Sequence, residues 1–435
     1  MTHIDNSRVR KESTRKESSE AGIALLSALV FIATTTILIA EFTTTTNLDS
    51  VAAANARDSV RAHFLNRTGA NLGLMLIKIQ TEVIDRNVSQ FPMLEGQQIG
   101  DYASQFMGVF GGSHEELMDR AETAGATGQA MVETLGTSPG GSFEITLTHE
   151  DGKINLNCAN GNQNERNNIE NQLSALFFSD AYNPLFEDET NDGWRRDKRE
   201  QVSALMDYID RDQGKAIAAG NSEDYGYQSL EDPYRAKNNY IDSIGEIRQI
   251  RGVDDRFWTL FGNQFTIYGG CKVNLTAVSD PILISALIVL SAKDQNDPVL
   301  RDPRRLWQLA KTVSESSGLG AVFNSTQDFA NLVADPSAGS LTGLLGAGAT
   351  QADVNEIQSQ EPVQGVELDQ AKLDEVAVVG PKRIYKVEVQ SRIERNQALG
   401  AVERRLTAIF DTQTTKQNAR NPQNNRGAWL YWRED

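Results

Sequence analysis

Residues 23–40 (IALLSALVFIATTTILIA) constrain the chain most, because this segment runs for 18 residues without a charged side chain. A membrane-spanning helix needs roughly 17–25 predominantly apolar residues, so the segment is long enough to cross a bilayer once. Basic residues precede it, which favours a cytoplasmic N-terminus and places the rest of the chain outside. A secretory signal peptide would have a shorter apolar region that ends at a small-residue cleavage site. The segment therefore predicts a single membrane anchor.

A helical pattern resumes after the anchor. Apolar residues recur there at intervals of three, four, seven or eight positions, which is the spacing of one helix face. We expect the anchor to continue as one amphipathic helix that ends near Arg86 or Asn87. The predicted apolar face consists of Val60, Phe64, Leu72, Met75, Ile79 and Val83.

Composition limits the function classes. The chain has 435 residues, enough for about two or three domains, and its 39% apolar and 23% charged residues are typical of a largely soluble protein. A formal net charge of −17 argues against general nucleic-acid binding. Two cysteines exclude a cysteine-rich metal site, and neither an HExxH motif nor a GxSxG elbow is present. We therefore expect no enzyme.

The remaining pattern predicts an α+β fold. Residues 142–148 (SFEITLT) alternate as a strand, Asp151 and Gly152 form a hairpin turn, and residues 153–157 (KINLN) form the returning strand. Residues 159–262 are rich in helix formers and acids. Asp280 and Pro281 begin a further helix over the apolar run 282–290. Strands at 383–393, 401–410 and 428–432 then close the first sheet, which the helical region interrupts.

The junction at Gly22 resembles the type IV pilin class, in which a basic leader and a glycine precede an uninterrupted hydrophobic helix. The resemblance implies that a prepilin peptidase cuts after Gly22, so that Ile23 becomes the first residue. Most members carry Glu at the fifth mature position, where this chain has Ser27. That carboxylate neutralises the N-terminal amine of a neighbouring subunit in an apolar bundle. A subunit with no partner ahead of it has no use for it, so Ser27 suits a filament tip.

Six further stretches, taken in order, resemble the K-type minor pseudopilin family of the type II secretion system. They are 153–157 (KINLN), 205–212 (LMDYIDRD), 234–252 (YRAKNNYIDSIGEIRQIRG), 273–277 (VNLTA), 323–332 (FNSTQDFANL) and 429–434 (WLYWRE). The resemblance implies an inner-membrane protein with a periplasmic globular part, at the tip of a filament that exports folded proteins. It also implies other minor pseudopilins, the major pseudopilin and prepilin peptidase as partners.

The predicted organisation follows the same resemblance. It comprises a long N-terminal helix, a pilin-like antiparallel sheet and helical modules that resemble SAM or helix-hairpin-helix units. The expected boundaries are a prepilin leader (1–22), the N-terminal helix (23–87), the first part of the pilin-like domain (88–157), two helical modules (158–270 and 271–334), a flexible connection (335–375) and the closing strands (376–435).

Two other functions remain open from the sequence. Helix-hairpin-helix units bind DNA phosphates through backbone N–H groups near a glycine. Here Asp254 and Asp255 lie beside Gly252, together with Arg248 and Arg251, and the acids would repel phosphate. We therefore expect a module for protein contact and no nucleic acid. The second alternative is a signal-anchored periplasmic binding module with a helical stalk and no filament.

Two candidate sites lie in or beside the helical region. The K-type resemblance implies calcium as a candidate ligand, and carboxylates supply the oxygen ligands that calcium takes. The alternative is a solvated acidic loop. The candidate ligands are Asp207, Asp210, Asp212, Glu223, Asp224, Glu231 and Asp232. Cys158 and Cys271 each lie beside an NL-containing strand, so the sulfurs would meet if those strands pair. An oxidising compartment would then favour a disulfide over two free thiols.

The N-terminal mass of the membrane-extracted protein tests the leader. We expect the chain to begin at Ile23 when it is produced with a prepilin peptidase, and to keep residues 1–22 when the peptidase is absent. An intact N-terminus in both preparations, or a cut after residue 40, would contradict the pilin pathway and leave an anchored or secreted protein.

Overall fold

The computed structural model describes residues 6–84, 112–113, 141–187, 197–211, 224, 227–228, 232–318, 323–336, 363–395, 400–413 and 427–435. Its helices are α1 (Asn6–Lys78), α2 (Gln163–Leu176), α3 (Asn183–Glu187), α4 (Lys198–Asp207), α5 (Asp255–Phe261), α6 (Pro281–Ser291), α7 (Pro298–Arg301), α8 (Pro303–Gly318), α9 (Thr326–Ala334) and α10 (Gln370–Val376). Its strands are β1 (Gly112–Ser113), β2 (Gly141–His149), β3 (Ile154–Asn155), β4 (Phe265–Thr266), β5 (Val273–Asn274), β6 (Ala377–Val378), β7 (Ile384–Ile393), β8 (Val402–Asp411) and β9 (Ala428–Glu434).

Helix α1 is 73 residues long and continues through a π-helical turn at Ile79–Ile84. At 1.5 Å per residue it extends for roughly 110 Å, several times the thickness of a bilayer core. The expected union of the anchor with the following amphipathic segment is therefore confirmed over the described residues. The expected end near Arg86 or Asn87 lies outside them.

A five-stranded antiparallel sheet packs on the C-terminal part of α1, in the order β1-β2-β7-β8-β9. Alternate side chains of the strands point at the helix, among them Phe143, Ile145, Val387 and Val389, which are at most 5% exposed. Together with the helical body described below, this sheet makes the fold α+β, as the sequence predicted.

The face that α1 turns to the sheet differs from the predicted one. Leu72 is buried, but Val60, Phe64 and Met75 are 55%, 60% and 39% exposed. Ile79 is half-buried, and the side chain of Val83 lies outside the described part. Leu65 and Ile77 fill the contact instead, together with small residues that let the strands approach the helix backbone. At Gly69 and Gly73 an added Cβ would lie 2.5 Å from Val389 and 3.0 Å from Val387, respectively.

The predicted hairpin at Asp151 and Gly152 is wrong. Strand β2 pairs with β7 along its whole length, from Gly141↔Ile393 to His149↔Tyr385. Residues 153–157 leave the sheet, and β3 within them pairs in parallel with β4. The chain does turn at Asp151 and Gly152, but the strand that pairs with β2 lies more than two hundred residues later. Residues 150–383 are thus an insertion between two neighbouring strands.

The inserted body has one hydrophobic core. Helix α6 packs against α2, α8 and α10, and the buried cluster runs from Ile154 to Ala377. The predicted helix start is confirmed, because the Asp280 carboxylate accepts a hydrogen bond from the Ile282 amide and Pro281 occupies the first turn. The two predicted helical modules, 158–270 and 271–334, share this core and are not separate packing units.

Part of the predicted flexible connection belongs to the same core. Val366, Leu368 and Leu373 are 1%, 6% and 0% exposed, and Leu368 forms a bridge with Ala292. Residues 363–376 are therefore packed structure, because their few apolar side chains fill the space beside α6 and α9. Residues 337–362 of the predicted connection lie outside the described part.

Gly152, at the start of the insertion, packs tightly against the backbone of Ala277, and a substitution can test this contact. An added Cβ there would lie 2.4 Å from the Ala277 carbonyl oxygen, which is backbone and cannot rotate away. We expect Gly152→Ala to lower the free energy of unfolding by about 1–3 kcal/mol, the cost of overpacking. Thermal and denaturant unfolding of the full chain in detergent would measure it. The matched control is Gly380→Ala, whose Cβ meets nothing within 4 Å; equal losses in both variants would contradict this account.

Candidate functional site

No described part of the protein covers the anchor segment of α1. The most apolar window of the helix has a mean hydropathy of 2.5 and none of it is buried within the protein. Leu25, Phe31 and Ile37 point in different directions and are 65%, 71% and 64% exposed. Apolar side chains on all sides of a helix need an apolar surrounding. By length and composition, this helix can cross a membrane.

Gly22, Ile23 and Ser27 all lie on this uncovered stretch. No heavy atom comes within 4 Å of a Cβ built on Gly22, and Ile23 is 64% exposed. The Ser27 hydroxyl donates a hydrogen bond of 2.9 Å to the Ile23 carbonyl oxygen, four residues earlier. Because its only polar group is satisfied within the helix, Ser27 can enter an apolar environment without a buried charge. The structure brings the three residues together but leaves their processing role a prediction.

Ion pairs connect α1 to the sheet at residues 58–67, on the C-terminal side of the uncovered stretch. The buried Asp58 carboxylate binds Arg57 at 2.9 Å and Arg395, which follows β7, at 2.8 Å. Glu434 on β9 contacts the His63 ring and lies 3.7 Å from Arg67. The pairs with Arg395 and Glu434 thus hold the helix to the middle and the edge of the sheet. The sequence pattern did not indicate them, because their partners are more than 300 residues apart.

The two chain crossings between the sheet and the inserted body meet at Asp151. One of its carboxylate oxygens accepts hydrogen bonds from the backbone N–H groups of Arg383 and Ile384, at 2.7 and 2.6 Å. Burial raises the pKa of Asp151, and the two N–H groups oppose that rise. The Arg383 guanidinium in turn holds both oxygens of Asp411, at 2.7 and 2.6 Å. This network fixes the strand ends from which the body projects.

Cys158 and Cys271 come together within the inserted body. Their sulfurs are 1.99 Å apart and their Cα atoms 5.7 Å apart, as in a disulfide. The expected route to this contact is wrong, since the neighbouring strands do not pair with each other: β3 pairs with β4, and β5 with β6. The sulfurs meet because both segments pack against α2; the Gln172 side chain of that helix donates to the Cys271 carbonyl oxygen.

The predicted calcium ligands do not converge in the described part of the chain. The Ser203 hydroxyl donates to the Asp207 carboxylate at 2.8 Å, and Asp210, which is 1% exposed, forms an ion pair with Arg166. Asp224 accepts a hydrogen bond from the Ala236 amide, and Asp232 is exposed. Asp212, Glu223 and Glu231 lie outside the described residues. Within the described ranges, no group of three or more His, Cys, Asp or Glu side chains could hold a metal.

The glycine turn that could suit phosphate binding lies between the 3₁₀ turn Ile244–Gln249 and α5. Gly252 has a φ of 83°, a conformation that favours glycine. Arg248 pairs with Asp255 and lies over the Trp258 ring at 5.3 Å. Protein groups therefore already contact this guanidinium beside the turn, and an acid lies next to it as the sequence suggested.

Residues 152–261, from the base of the inserted body to the end of α5, match the family model described as type II secretion system (T2SS), protein K. This segment is therefore similar to the protein K family of that system. The match confirms the resemblance that the sequence motifs indicated, and the matched residues contain Cys158, Asp207, Asp210 and the Gly252 turn.

No curated protein matches the chain. One solved structure has a similar fold over part of its length. A chain in the crystal structure of the GspK-GspI-GspJ complex from the type 2 secretion system of enterotoxigenic Escherichia coli is 15% identical in sequence. The similarity covers 68% of this chain and 81% of that chain, with a TM-score of 0.40.

The cysteine pair gives a chemical test. We expect both thiols to resist alkylation in the unfolded, unreduced protein, and to react fully after reduction. On the chain-entropy model a bridge across 113 residues stabilises by about 4–5 kcal/mol, so reduction should also lower the unfolding temperature. Intact-mass spectrometry reads the labelling. Complete alkylation of both cysteines without reductant would show that they are free thiols.

Proposed function

We propose that this chain is a minor pseudopilin at the tip of the type II secretion pseudopilus. The observation that carries the proposal is the arrangement of three parts: a bare apolar helix, a sheet packed on its continuation, and a body similar to protein K inserted between β2 and β7. A protein with this arrangement can be anchored in a membrane by one end while it presents a large body at the other.

In this proposal the helix joins the chain to other subunits, and the inserted body determines that the chain lies at the tip. The chain is processed after Gly22 by a prepilin peptidase and resides in the bacterial inner membrane with its globular part in the periplasm. Its helix joins other minor pseudopilins in a heteromeric tip, above the major pseudopilin. Ser27 lacks the carboxylate that would neutralise a subunit ahead of it, and the bulk of residues 150–383 hinders addition there. The tip primes or caps the filament that exports folded proteins across the outer membrane.

Calcium stays a prediction for the acidic segment. Asp207 and Asp210 fit it poorly, because Asp207 is buried against Ser203 and Asp210 is neutralised by Arg166. If a calcium site exists, the ligands that remain to build it are Asp224 and Asp232, with Asp212, Glu223 and Glu231. Such an ion would bring these carboxylates together, because calcium takes six to eight oxygen ligands.

A secretion assay in a strain without its own copy of this chain tests the proposal. We expect the wild-type chain to restore export of a folded substrate. Ser27→Glu should restore it equally, because a tip subunit needs no carboxylate at that position. A variant without residues 1–40 should fail, since it has no anchor. Immunoblots of the membrane and periplasmic fractions control for the amount of protein.

Two results would contradict the proposal. Export that is unaffected by loss of the chain would favour the anchored binding module unrelated to a filament. A strict requirement for Glu at position 27 would place the chain within the filament and away from its tip.

A further inference from the structure

The outward side of α8, in the inserted body, carries a tryptophan between two basic residues. The core side of this helix is apolar, and Leu306 and Val313 are 3% and 0% exposed where it packs on α6. On the opposite side Trp307 is 46% exposed, with Arg304 three positions before it and Lys311 four positions after it. Residues at these spacings are neighbours on a helix surface. We call Arg304, Trp307 and Lys311 the basic–indole face.

The charge along α8 is positive although the whole chain has a formal net charge of −17. The helix holds three basic residues and one acid, Glu315, which lies 3.6 Å from Lys311. Arg305 lies 3.5 Å from Asp302, and Arg304 forms no ion pair with a described residue. Exposed pairs of this kind are weak, so the carboxylates of a partner can compete for these cations. The helix therefore favours a negatively charged partner.

Trp307 adds an apolar requirement to the charge. A lone apolar side chain on a surface is common, so the indole by itself would indicate nothing. Tryptophan and arginine together are, however, the residue types that contribute most to protein–protein binding once a partner encloses them. The indole N–H donates no hydrogen bond to a described residue, so both the ring and its donor are available to a partner.

A lipid surface does not fit this position. Leu147, near the end of β2, packs against Leu76 of α1, and the inserted body begins directly after β2. Leu76 lies 36 residues beyond Ala40, the last residue of the anchor segment, which is about 54 Å at 1.5 Å per residue. The headgroup layer on each side of a bilayer is only roughly 5–8 Å thick. The base of the body therefore stands far above anionic lipid.

A nucleic acid and a symmetric second copy fit no better. Binding along a phosphate backbone depends on many cations, and the acidic remainder of this chain would repel a long polyanion. Two copies that met through the same face would set Arg304 and Lys311 of one against those of the other, and like charges exclude such a pair. A short acidic patch on a different protein avoids both kinds of repulsion.

We propose that the basic–indole face docks a separate protein through a compact acidic patch, in which Asp or Glu residues surround an apolar hollow. The hollow takes the ring of Trp307, and the surrounding carboxylates pair with Arg304 and Lys311. The proposal goes beyond the proposed function and does not depend on it, because the face belongs to the inserted body and not to the anchor or the sheet. It gives the body a binding role of its own.

Fluorine NMR of the full chain in nanodiscs tests the docking at the residue concerned. Fluorinated tryptophan gives one resonance for each of the five tryptophans, and Trp307→Phe assigns the resonance of Trp307. The probe is a labelled peptide with Leu at its centre and Glu on both sides, and its counterpart carries Lys in place of Glu. We expect the Glu peptide to shift the Trp307 resonance, and the shift to diminish as salt rises. The Lys peptide should leave it unchanged.

Fluorescence anisotropy of the labelled peptides measures the contribution of each side chain. Arg304→Glu/Lys311→Glu should weaken the Glu peptide at least tenfold and should favour the Lys peptide. Trp307→Ala should also weaken the Glu peptide, because the hollow loses its ring. The matched control is Arg199→Glu/Lys372→Glu, which reverses the same two residue types at exposed positions elsewhere on the body and should leave binding unchanged.

A milder variant keeps the test valid if charge reversal beside Glu315 disturbs α8. Arg304→Gln/Lys311→Gln removes both charges without adding an acid, and thermal unfolding of each variant reports whether the fold is retained. An intermediate loss of affinity for the Glu peptide in this variant supports the proposal.

Several results would overturn the proposal. They are no binding of the Glu peptide, equal affinity for the Glu and Lys peptides, an equal loss of affinity in the control variant, and a shift confined to tryptophans other than Trp307. Displacement of the Glu peptide by a DNA duplex at a lower concentration than the peptide itself would assign the face to a nucleic acid. Displacement by phosphatidylglycerol nanodiscs, but not by neutral ones, would assign it to the membrane.

Discussion

The pairing of β2 with β7 is the interaction on which the rest of the structure depends. It joins His149 to Tyr385 across the whole inserted body, so both ends of that body leave the sheet side by side. Closing so long a loop costs conformational entropy, which the nine-residue ladder and the Asp151 hydrogen bonds offset. With its ends fixed, the insertion can build its own core without disturbing the sheet.

Helix α1 meets three environments in turn, and its residue types change with them. The anchor is apolar on every side. Over the sheet, Gly69 and Gly73 let the strands approach the backbone, and Leu65 and Ile77 are buried beside them. The opposite side keeps Phe64 and the arginines exposed. One continuous helix therefore combines a segment apolar on every side with a segment that supports the sheet on one face and leaves the other face exposed.

The inserted body illustrates how a carboxylate can be structural where its spacing suggests a ligand. Asp210 lies in an acidic segment, yet Arg166 on α2 neutralises it in a nearly inaccessible position. Breaking such a pair would leave a buried charge, which costs more than the pair itself contributes. The inserted body thus uses part of its acidic character to hold α2 against the segment that follows α4.

The sequence by itself determined what depends on neighbouring residues: the anchor from its uncharged length, the start of α6 from Asp280 and Pro281, and the strands from their alternation. It also carried the motifs of the family. Tertiary structure alone decided the partner of β2, the buried face of α1 and the packing of residues 363–376. Strand pairing joins residues that are far apart in the chain, and no local period encodes the partner. The sheet covers the side of α1 that carries Leu65 and Ile77 with Gly69 and Gly73, and leaves the predicted Phe64 exposed. A turn signal at Gly152 marks a bend without stating which strand follows it in the sheet.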